Sequence, residues 1–318
     1  MAGFLYGNNY RTVIGKETAL GSGKTNATSI AWTEVTVLPD KCEMTLDKAQ
    51  IDTGAKTQTG LPTLCEIKSG YEKYTVTLSG TLSDEHEILL KAFFKDAATP
   101  YTMDSVPTLD SYVIMQVWSE DVATPYIADK AIGCQLMSLN ITGASGGMVT
   151  YEAVFMARSY TRRDATVAIT GTDPGTVCTK GFNFGDVTSV LNFGDGTHLK
   201  SFSLSLMNNL VDDAAMFQNS NTILQAIPST VGGELNYVTN YYDTVNDISG
   251  ELAINADSPI DEIISLKNTT KTWTINTSGQ VTAFVRADPD DGIYDNNVTE
   301  RLVLSTLIPS YPVTIAIT

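Results

Sequence analysis

Residues 23–25, Gly-Lys-Thr, match the last three residues of the phosphate-binding loop motif. In that loop, backbone N–H groups and a lysine hold the phosphates of a nucleotide. That motif also needs a glycine at position 18, where the chain has Thr18, and Gly15 lies three residues too early. Residues 26–32 are rich in capping, β-branched and aromatic types, which favour an extended segment over the helix that should follow such a loop. The sequence therefore predicts that this is not a nucleotide site.

Residues 143–147 fit the pattern Gly-x-Ser-x-Gly, which surrounds the nucleophile of many serine hydrolases. That chemistry needs a turn from a strand into a helix, and His198 would have to serve as the base. Here the glycines lead from one alternating segment, 137–141, into another, 148–155. Two such segments around a Gly/Ser cluster predict a β-hairpin.

Residues 288–295 are acidic and resemble a calcium loop, but Gly292 occupies the fifth position, where an oxygen ligand is needed. A hairpin tip with solvated acids is the favoured interpretation, and a weak, irregular cation site stays the alternative.

The four cysteines form no Cys-x-x-Cys pair, and the chain has only two histidines, which argues against a zinc site. We expect free thiols, buried or incidental, at Cys42, Cys65, Cys134 and Cys178. No cofactor, metal or catalytic constellation emerges, so the chain is expected not to be an enzyme.

The net charge of −16 is uneven: residues 1–165 carry 14 basic and 19 acidic side chains, and residues 166–318 carry 6 and 17. This excess of acidic residues argues against tight binding of DNA or RNA, because affinity for phosphates comes from clustered Lys and Arg. No run of about 18 apolar residues predicts membrane insertion. The first residues have no basic or apolar leader, so we expect synthesis and folding in a cytoplasm.

Alternation of apolar and polar residues, as in 74–82 and 202–206, predicts half-buried antiparallel strands. One helix is predicted over 83–94, with an N-cap, acids in its first turn and an apolar stripe. A second helix is predicted over 257–266, where Pro259 stands near the first helical position.

The segment 76–82 with its following helix has an echo 170 residues later, in 247–252 and the second predicted helix. This indicates a tandem duplication, with chance similarity as the alternative, and a turn-rich linker at 170–175. Two long polar segments, about 45–73 and 208–246, are predicted to be loops. Loops of this length are usually functional or mobile.

The segment from Gly133 to Ile141, the glycine turn at 143–147 and residues 150–158 are similar to the hairpin that closes the first domain of two-domain phage tail tube proteins. Residues 187–209, with 200–210 (Lys-Ser-Phe-Ser-Leu-Ser-Leu-Met-Asn-Asn-Leu), resemble the strand that opens the second domain. Residues 15–21 resemble the N-terminal arm. The last 40 or so residues match least well.

This resemblance implies a mainly β fold, all-β with one short helix per repeat, in two tandem β-sandwich or half-barrel domains with long inter-ring loops. The implied bounds are 1–32 for the N-terminal arm, 33–165 for the first domain and 166–318 for the second. It implies a structural subunit of a virion tail that forms homotrimeric, helically stacked rings around DNA, without sequence-specific binding. The implied partners are the tape measure, tip or initiator and terminator proteins, and no cofactor is implied.

The residues expected to act in assembly belong to two groups. Candidates for contacts between rings are Asp52, Thr53, Gly54, Lys56, Thr57, Gln58, Gly60, Asn219, Ser229, Val231, Gly232 and Gly233; candidates in the N-terminal arm are Gly15, Lys16, Glu17, Gly21 and Gly23.

Other structural roles stay open. A neck or tail-terminator protein of the same fold group, a tail-fibre domain and a β-sandwich surface adhesin all share the strand pattern and acidic charge. Self-assembly discriminates among them, because a terminator stops at one ring and an adhesin stays monomeric.

Overall fold

A computed structural model of the chain describes residues 10–38, 41–52, 67–95, 98–103, 109–118, 126–174, 180–191, 199–211, 227–228, 231–239, 259–287, 295–303 and 311–318. These residues form twenty β-strands and one α-helix, α1 (Glu87–Phe94), between the fifth and sixth strands. In chain order the strands are β1 (Tyr10–Lys16), β2 (Ile30–Ala31), β3 (Val35–Leu38), β4 (Lys41–Asp52), β5 (Ile67–Thr81), β6 (Tyr101–Thr102), β7 (Tyr112–Trp118), β8 (Tyr126–Ala144), β9 (Thr150–Ala157), β10 (Ser159–Val167), β11 (Ile169–Thr170), β12 (Thr188–Val190), β13 (Leu199–Met207), β14 (Leu210–Val211), β15 (Ile227–Pro228), β16 (Gly232–Thr239), β17 (Ile260–Lys267), β18 (Thr272–Ala287), β19 (Asp295–Val303) and β20 (Val313–Ile317).

The strands follow the alternating pattern of the sequence. In β13, Phe202, Leu204 and Leu206 are buried, while the intervening serines are half-buried. Side chains of a strand point alternately to its two faces, so this spacing leaves one face apolar and one polar. The strands predicted over 74–82 and 202–206 are confirmed, and so is the hairpin, formed by β8 and β9.

The helix predicted over 83–94 is confirmed as a short 3₁₀ turn followed by α1. The hydroxyl of Ser83 and the ring of His86 form a reciprocal cap, with the Ser83 N–H donating to His86 Nδ1 at 2.9 Å. The helix ends at Lys95, whose left-handed backbone (φ 61°) lets its N–H donate to the Lys91 carbonyl.

The second predicted helix is wrong, because residues 260–267 form strand β17. The acids and Pro259 at its start imitate a helix beginning, but burial follows a period of two: Glu262, Ile264 and Leu266 are buried. The apolar run is short enough to suit either element, and pairing with β18 along its whole length decides the outcome. The described residues therefore contain one α-helix rather than one per repeat.

Sixteen strands belong to one connected network, in which β8 and β18 each take part in two sheets. Their C-terminal halves lie in an eight-stranded sheet, ordered β4-β5-β9-β8-β13-β16-β19-β18. The N-terminal half of β8 lies in a sheet ordered β3-β1-β7-β8-β10. The N-terminal half of β18 lies in a third, ordered β12-β17-β18-β20-β6.

The strand pairings of the first half of the chain recur in the second half. The equivalent strands are β1 and β12, β4 and β13, β5 and β16, β7 and β17, β8 and β18, β9 and β19, and β10 and β20. Six pairings repeat, namely β1–β7 as β12–β17, β4–β5 as β13–β16, β5–β9 as β16–β19, β7–β8 as β17–β18, β8–β9 as β18–β19, and β8–β10 as β18–β20. Such repetition is the structural counterpart of a tandem duplication.

The apolar face of the eight-stranded sheet is covered by the other elements. Leu204 and Leu206 belong to the same buried cluster as Trp273 of the third sheet and Phe93 of α1. Burial of aromatic and aliphatic side chains of this size stabilises the layers by about 1.5–3 kcal/mol for each one.

The segment predicted as a linker packs against the start of the chain. Strand β11 pairs in parallel with β2, and the guanidinium of Arg11 donates to both carboxylate oxygens of Asp173 at 2.6 Å. The same guanidinium lies 5.1 Å from the ring centre of Trp32. The division into domains stays a prediction, since β8 and β13 join both halves in one sheet. Within the described residues, no helix has the length and apolar character needed to cross a membrane.

Candidate assembly surfaces

One edge of the eight-stranded sheet is β4. It pairs with β5 and with no other strand among the described residues. Leu46, which points to the same face as the buried Cys42, is 50% exposed. An edge strand presents unpaired N–H and C=O groups, so an apolar side chain on it marks a place where another strand can add.

The opposite edge is the second half of β18, from Gln280 to Ala287. This half pairs with β19 on one side, whereas β17 and β20 pair only with the first half, up to Gly279. Val285 is 58% exposed and lies opposite Asn297 of β19, on the polar face. The sheet thus has open margins at both ends within the described part of the chain.

The second face of the eight-stranded sheet is polar and lined by small side chains. Two shallow grooves, of about 610 and 560 Å³, lie on this face. Its described charges are balanced, since the basic residues Lys41, Lys73, Lys200 and Arg301 equal in number the acidic residues Glu43, Glu152, Glu234 and Asp295. The neutral polar residues described on this face are Thr45, Thr75, Thr77, Ser79, Thr81, Ser138, Asn140, Thr142, Thr150, Ser201, Ser203, Ser205, Asn236, Gln280, Asn297 and Thr299.

The first long segment is shorter than the sequence suggested. The loop predicted over 45–73 is wrong at both ends, because β4 continues to Asp52 and β5 begins at Ile67, directly opposite. The error arises because most residues at both ends of this segment are polar, so the alternation typical of a strand is not apparent. The other candidates of this segment, Thr53, Gly54, Lys56, Thr57, Gln58 and Gly60, lie outside the described residues.

The second long segment also contains a strand. The loop predicted over 208–246 is wrong at β16, where Gly232 and Gly233 pair with Met207 and Leu206. A Cβ on Gly233 would lie 2.7 Å from the Ser205 carbonyl oxygen, so glycine permits this close approach. Val231 directly precedes the strand, and Asn219 and Ser229 lie outside the described residues. Contact of either segment with another ring stays a prediction.

The candidate residues of the N-terminal arm are packed on the sheet. Gly15 and Lys16 lie in β1, between β3 and β7. The buried carboxylate of Glu17 accepts hydrogen bonds from the backbone N–H groups of Gly21 and Gly23, both at 2.8 Å, and Gly133, at 3.2 Å. The extended segment predicted over 26–32 is confirmed only at Ile30–Ala31, which form β2, because residues 25–29 form bends and a 3₁₀ turn begins at Trp32.

Among the described residues, the serine of the Gly-x-Ser-x-Gly pattern lies in a turn and the two described cysteines are buried. Ser145 lies in the tight turn between β8 and β9, where the Gly147 N–H donates to the Ala144 carbonyl. Burial, with the charge of Asp129, raises the pKa of the Cys42 thiol to about 12. Cys134 is also a buried free thiol with a raised pKa. His198, Cys65, Cys178 and residues 288–294 lie outside the described residues.

No group of three or more His, Cys, Asp or Glu side chains is placed to hold a metal ion in the described part of the chain.

Two buried carboxyl groups meet beneath the β18 margin. Glu262 of β17 accepts a hydrogen bond from the Tyr237 hydroxyl at 2.9 Å, and Thr277 lies 3.5 Å from Glu300 Oε2. Burial and the negative charge of Glu262 raise the pKa of Glu300 to about 10, and Asp261 adds to the effect. The pair therefore holds a proton at neutral pH. The equivalent of Glu300 in the first repeat is the apolar Phe155, so the fold itself does not require an acid there.

These features define a mainly β protein of two topologically equivalent halves, in which the two outermost strands of the longest sheet, β4 and the second half of β18, each pair on one side only among the described residues. The family model described as phage tail tube protein matches residues 7–223, and the chain belongs to that family. Comparison with curated proteins finds no match. As a family member, the chain is a structural component of a phage tail tube in the virion tail, and it assembles with itself and with other tail proteins.

Sequence reasoning missed the two margins. The end of β4 falls in a segment predicted to be a loop, and the strand at 280–287 is interrupted by a bulge at Thr282, where the register with β19 shifts. In the structure the exposed Leu46 and Val285 mark the two margins, but exposure cannot be read from sequence.

Proposed function

We propose that three copies of this chain close into a ring, in which β18 of each subunit pairs with β4 of the next. The observation that carries the proposal is the order of the eight-stranded sheet. Each half contributes four strands in the same order, and the halves are joined by β8 and β13. A second junction of the same type, formed at the margins by two different chains, gives a head-to-tail interface, which closes when its rotation suits a ring.

Eight strands from each of three subunits give a closed barrel of twenty-four, with no open edge left. Because every chain supplies two equivalent halves, a trimer presents six similar units around the axis. Six subunits with one repeat each would give the same number of units, joined by six interfaces between chains. In the proposed trimer, three of these six junctions lie within a chain.

We infer that the polar face of this sheet lines the lumen and that DNA passes along it during ejection. The apolar face is already covered by other elements, and the grooves lie on the polar face. Affinity for DNA comes mainly from Lys and Arg contacts with phosphates. A face of hydroxyl and amide groups with balanced charges offers few such contacts, so DNA would pass without sequence-specific binding.

Stacking is assigned to the tip of the β4–β5 hairpin, beyond Asp52, and to the segment before β16. Both segments connect strands of the eight-stranded sheet in sequence, and both contain the residues proposed for contacts between rings. The tape measure, an initiator at the tip and a terminator at the other end are the expected partners along and at the ends of such a tube.

Electron microscopy of tubes assembled from the full chain tests the proposal. We expect stacked rings with three chains in each, giving sixfold-like density from one subunit type. Rings of six chains would overturn the trimer. Assembly that stops at a single ring would favour a terminator, and a protein that stays monomeric with an added initiator would contradict the tube role.

A further inference from the structure

The junction between the two halves of the chain gives the register of the contact between subunits. We propose that β18 pairs with β4 of the next subunit so that Phe284 lies opposite Leu46 and Val285 opposite Thr45. The inference rests on the proposed ring, and it adds which residues face one another across the interface.

The template is the antiparallel pairing of β8 with β13. On the apolar face, Leu139 lies opposite Leu206, and both are almost completely buried. On the polar face, Asn140 lies opposite Ser205. Gly143 faces Phe202, where a Cβ would lie 2.6 Å from the ring, so the glycine makes room for it.

The bulges in β8 and β18 set the equivalence of these strands. Pairing of β8 with β9 skips Met137, and pairing of β18 with β19 skips Thr282. A bulge adds one residue to one strand, so it fixes the register on both of its sides. Placing Met137 on Thr282 makes Phe284 the equivalent of Leu139 and Val285 that of Asn140.

Once β8 and β18 are matched, the strand pairings match the residues of the neighbouring strands in turn. Phe155 of β9 then corresponds to Glu300 of β19, and the pairings of β5 and β16 place Tyr74 on Gly233. The pairings of β4 and β13 follow, with Leu46 on Leu206 and Thr45 on Ser205.

Replacing each template residue by its equivalent gives the proposed ladder, Ala283–Ala287 opposite Asp47–Glu43 of the next subunit. Leu46, half exposed in the single chain, then meets Phe284, which packs on the edge of the core. A shift by one residue would place Leu46 opposite Ala283 or Val285, which lie on the polar face, so the apolar face of one subunit would continue into the polar face of the next. Continuity of the apolar face therefore selects the proposed register over its odd-numbered neighbours.

Disulfide trapping in assembled tubes tests the register. Facing residues of antiparallel strands have Cα atoms about 4.5–5.5 Å apart, within the range of a disulfide, whereas residues two positions along lie outside it. We would combine Thr45→Cys with Val285→Cys, both at exposed positions, and run the oxidised tubes on a non-reducing gel. The expected product is a covalent trimer, which reduction returns to single chains.

The matched pairs shift the register by two residues while keeping the face: Thr45→Cys with Ala283→Cys, and Thr45→Cys with Ala287→Cys. Each should give several-fold less trimer than the first pair. The single variants Thr45→Cys and Val285→Cys show any cross-linking through the native cysteines and should give none.

The outcomes separate the register from the ring. Efficient trapping by a shifted pair, in tubes of normal appearance, would overturn the register while the ring stands. Normal tubes in which no pair is trapped would overturn the β18–β4 contact. Absence of rings from the unmodified chain would overturn the proposed function, and the register with it.

Discussion

The buried pair of Glu262 and Glu300 predicts how the stability of the subunit depends on pH. Because the pKa of Glu300 is raised from 4.5 to about 10, the folded subunit keeps a proton that the unfolded chain releases at neutral pH. A raised folded-state pKa contributes its full stability below the unfolded value, and this contribution is lost as the pH rises towards the folded value. The slope is about 1.4 kcal/mol of unfolding free energy per pH unit, or about 3 kcal/mol between pH 4.5 and 7.

The variant Glu300→Gln has nearly the same shape and no proton to lose. Between pH 4.5 and 7, the unfolding free energy of the wild type should therefore fall by about 3 kcal/mol relative to that of the variant. Urea unfolding of the unassembled subunit across this range measures the difference, because other groups titrate alike in both proteins. Glu152→Gln, which changes an exposed acid on the polar face, is the control and should run parallel to wild type. Parallel curves for Glu300→Gln would refute the shared proton.

Two further predictions concern the hairpin tip and the N-terminal segment. Deleting residues 52–60 should abolish tubes, seen by electron microscopy, while circular dichroism still reports a folded β subunit; tubes of normal length would contradict a role in stacking. Glu17→Ala should lower the unfolding free energy by about 3 kcal/mol, because three backbone N–H groups, two of them in buried hydrogen bonds, lose a charged acceptor. Glu34→Ala, at an exposed position, is its control in urea unfolding, and equal effects of the two changes would show that the Glu17 contacts contribute nothing special.

Local pattern predicted the local elements well. Alternation in 74–82 and 202–206 identified strands, and the glycine turn at 143–147 identified the β8–β9 hairpin. The cap at Ser83 located the helix. Each of these depends on neighbours in sequence, which is why the residues alone were sufficient.

Pairing between strands that are distant in sequence could not be predicted from the sequence alone. The acids and proline before 260–267 imitate a helix start, and only the partner strand β18 makes this segment a strand. The duplication was inferred from an echo at 247–252, outside the described residues, whereas strand pairing makes Tyr237 the equivalent of Leu78. The repeat is visible in the strand pairings because the backbone register between strands is kept even where the side chains have changed and the sequence similarity is lost.

The two junctions of the proposed ring differ in strength although they share one geometry. The internal junction pairs aliphatic residues twice on its apolar face, Leu139 with Leu206 and Ile141 with Leu204. The proposed junction between subunits keeps one apolar pair, Phe284 with Leu46, and places Arg286 opposite Met44. Losing one fully buried aliphatic pairing costs about 1.5–3 kcal/mol. The internal junction is also held by the chain itself, so it forms without an encounter between molecules. In the proposed ring, we therefore expect the internal junction to form as the chain folds and the weaker contact between subunits to form afterwards.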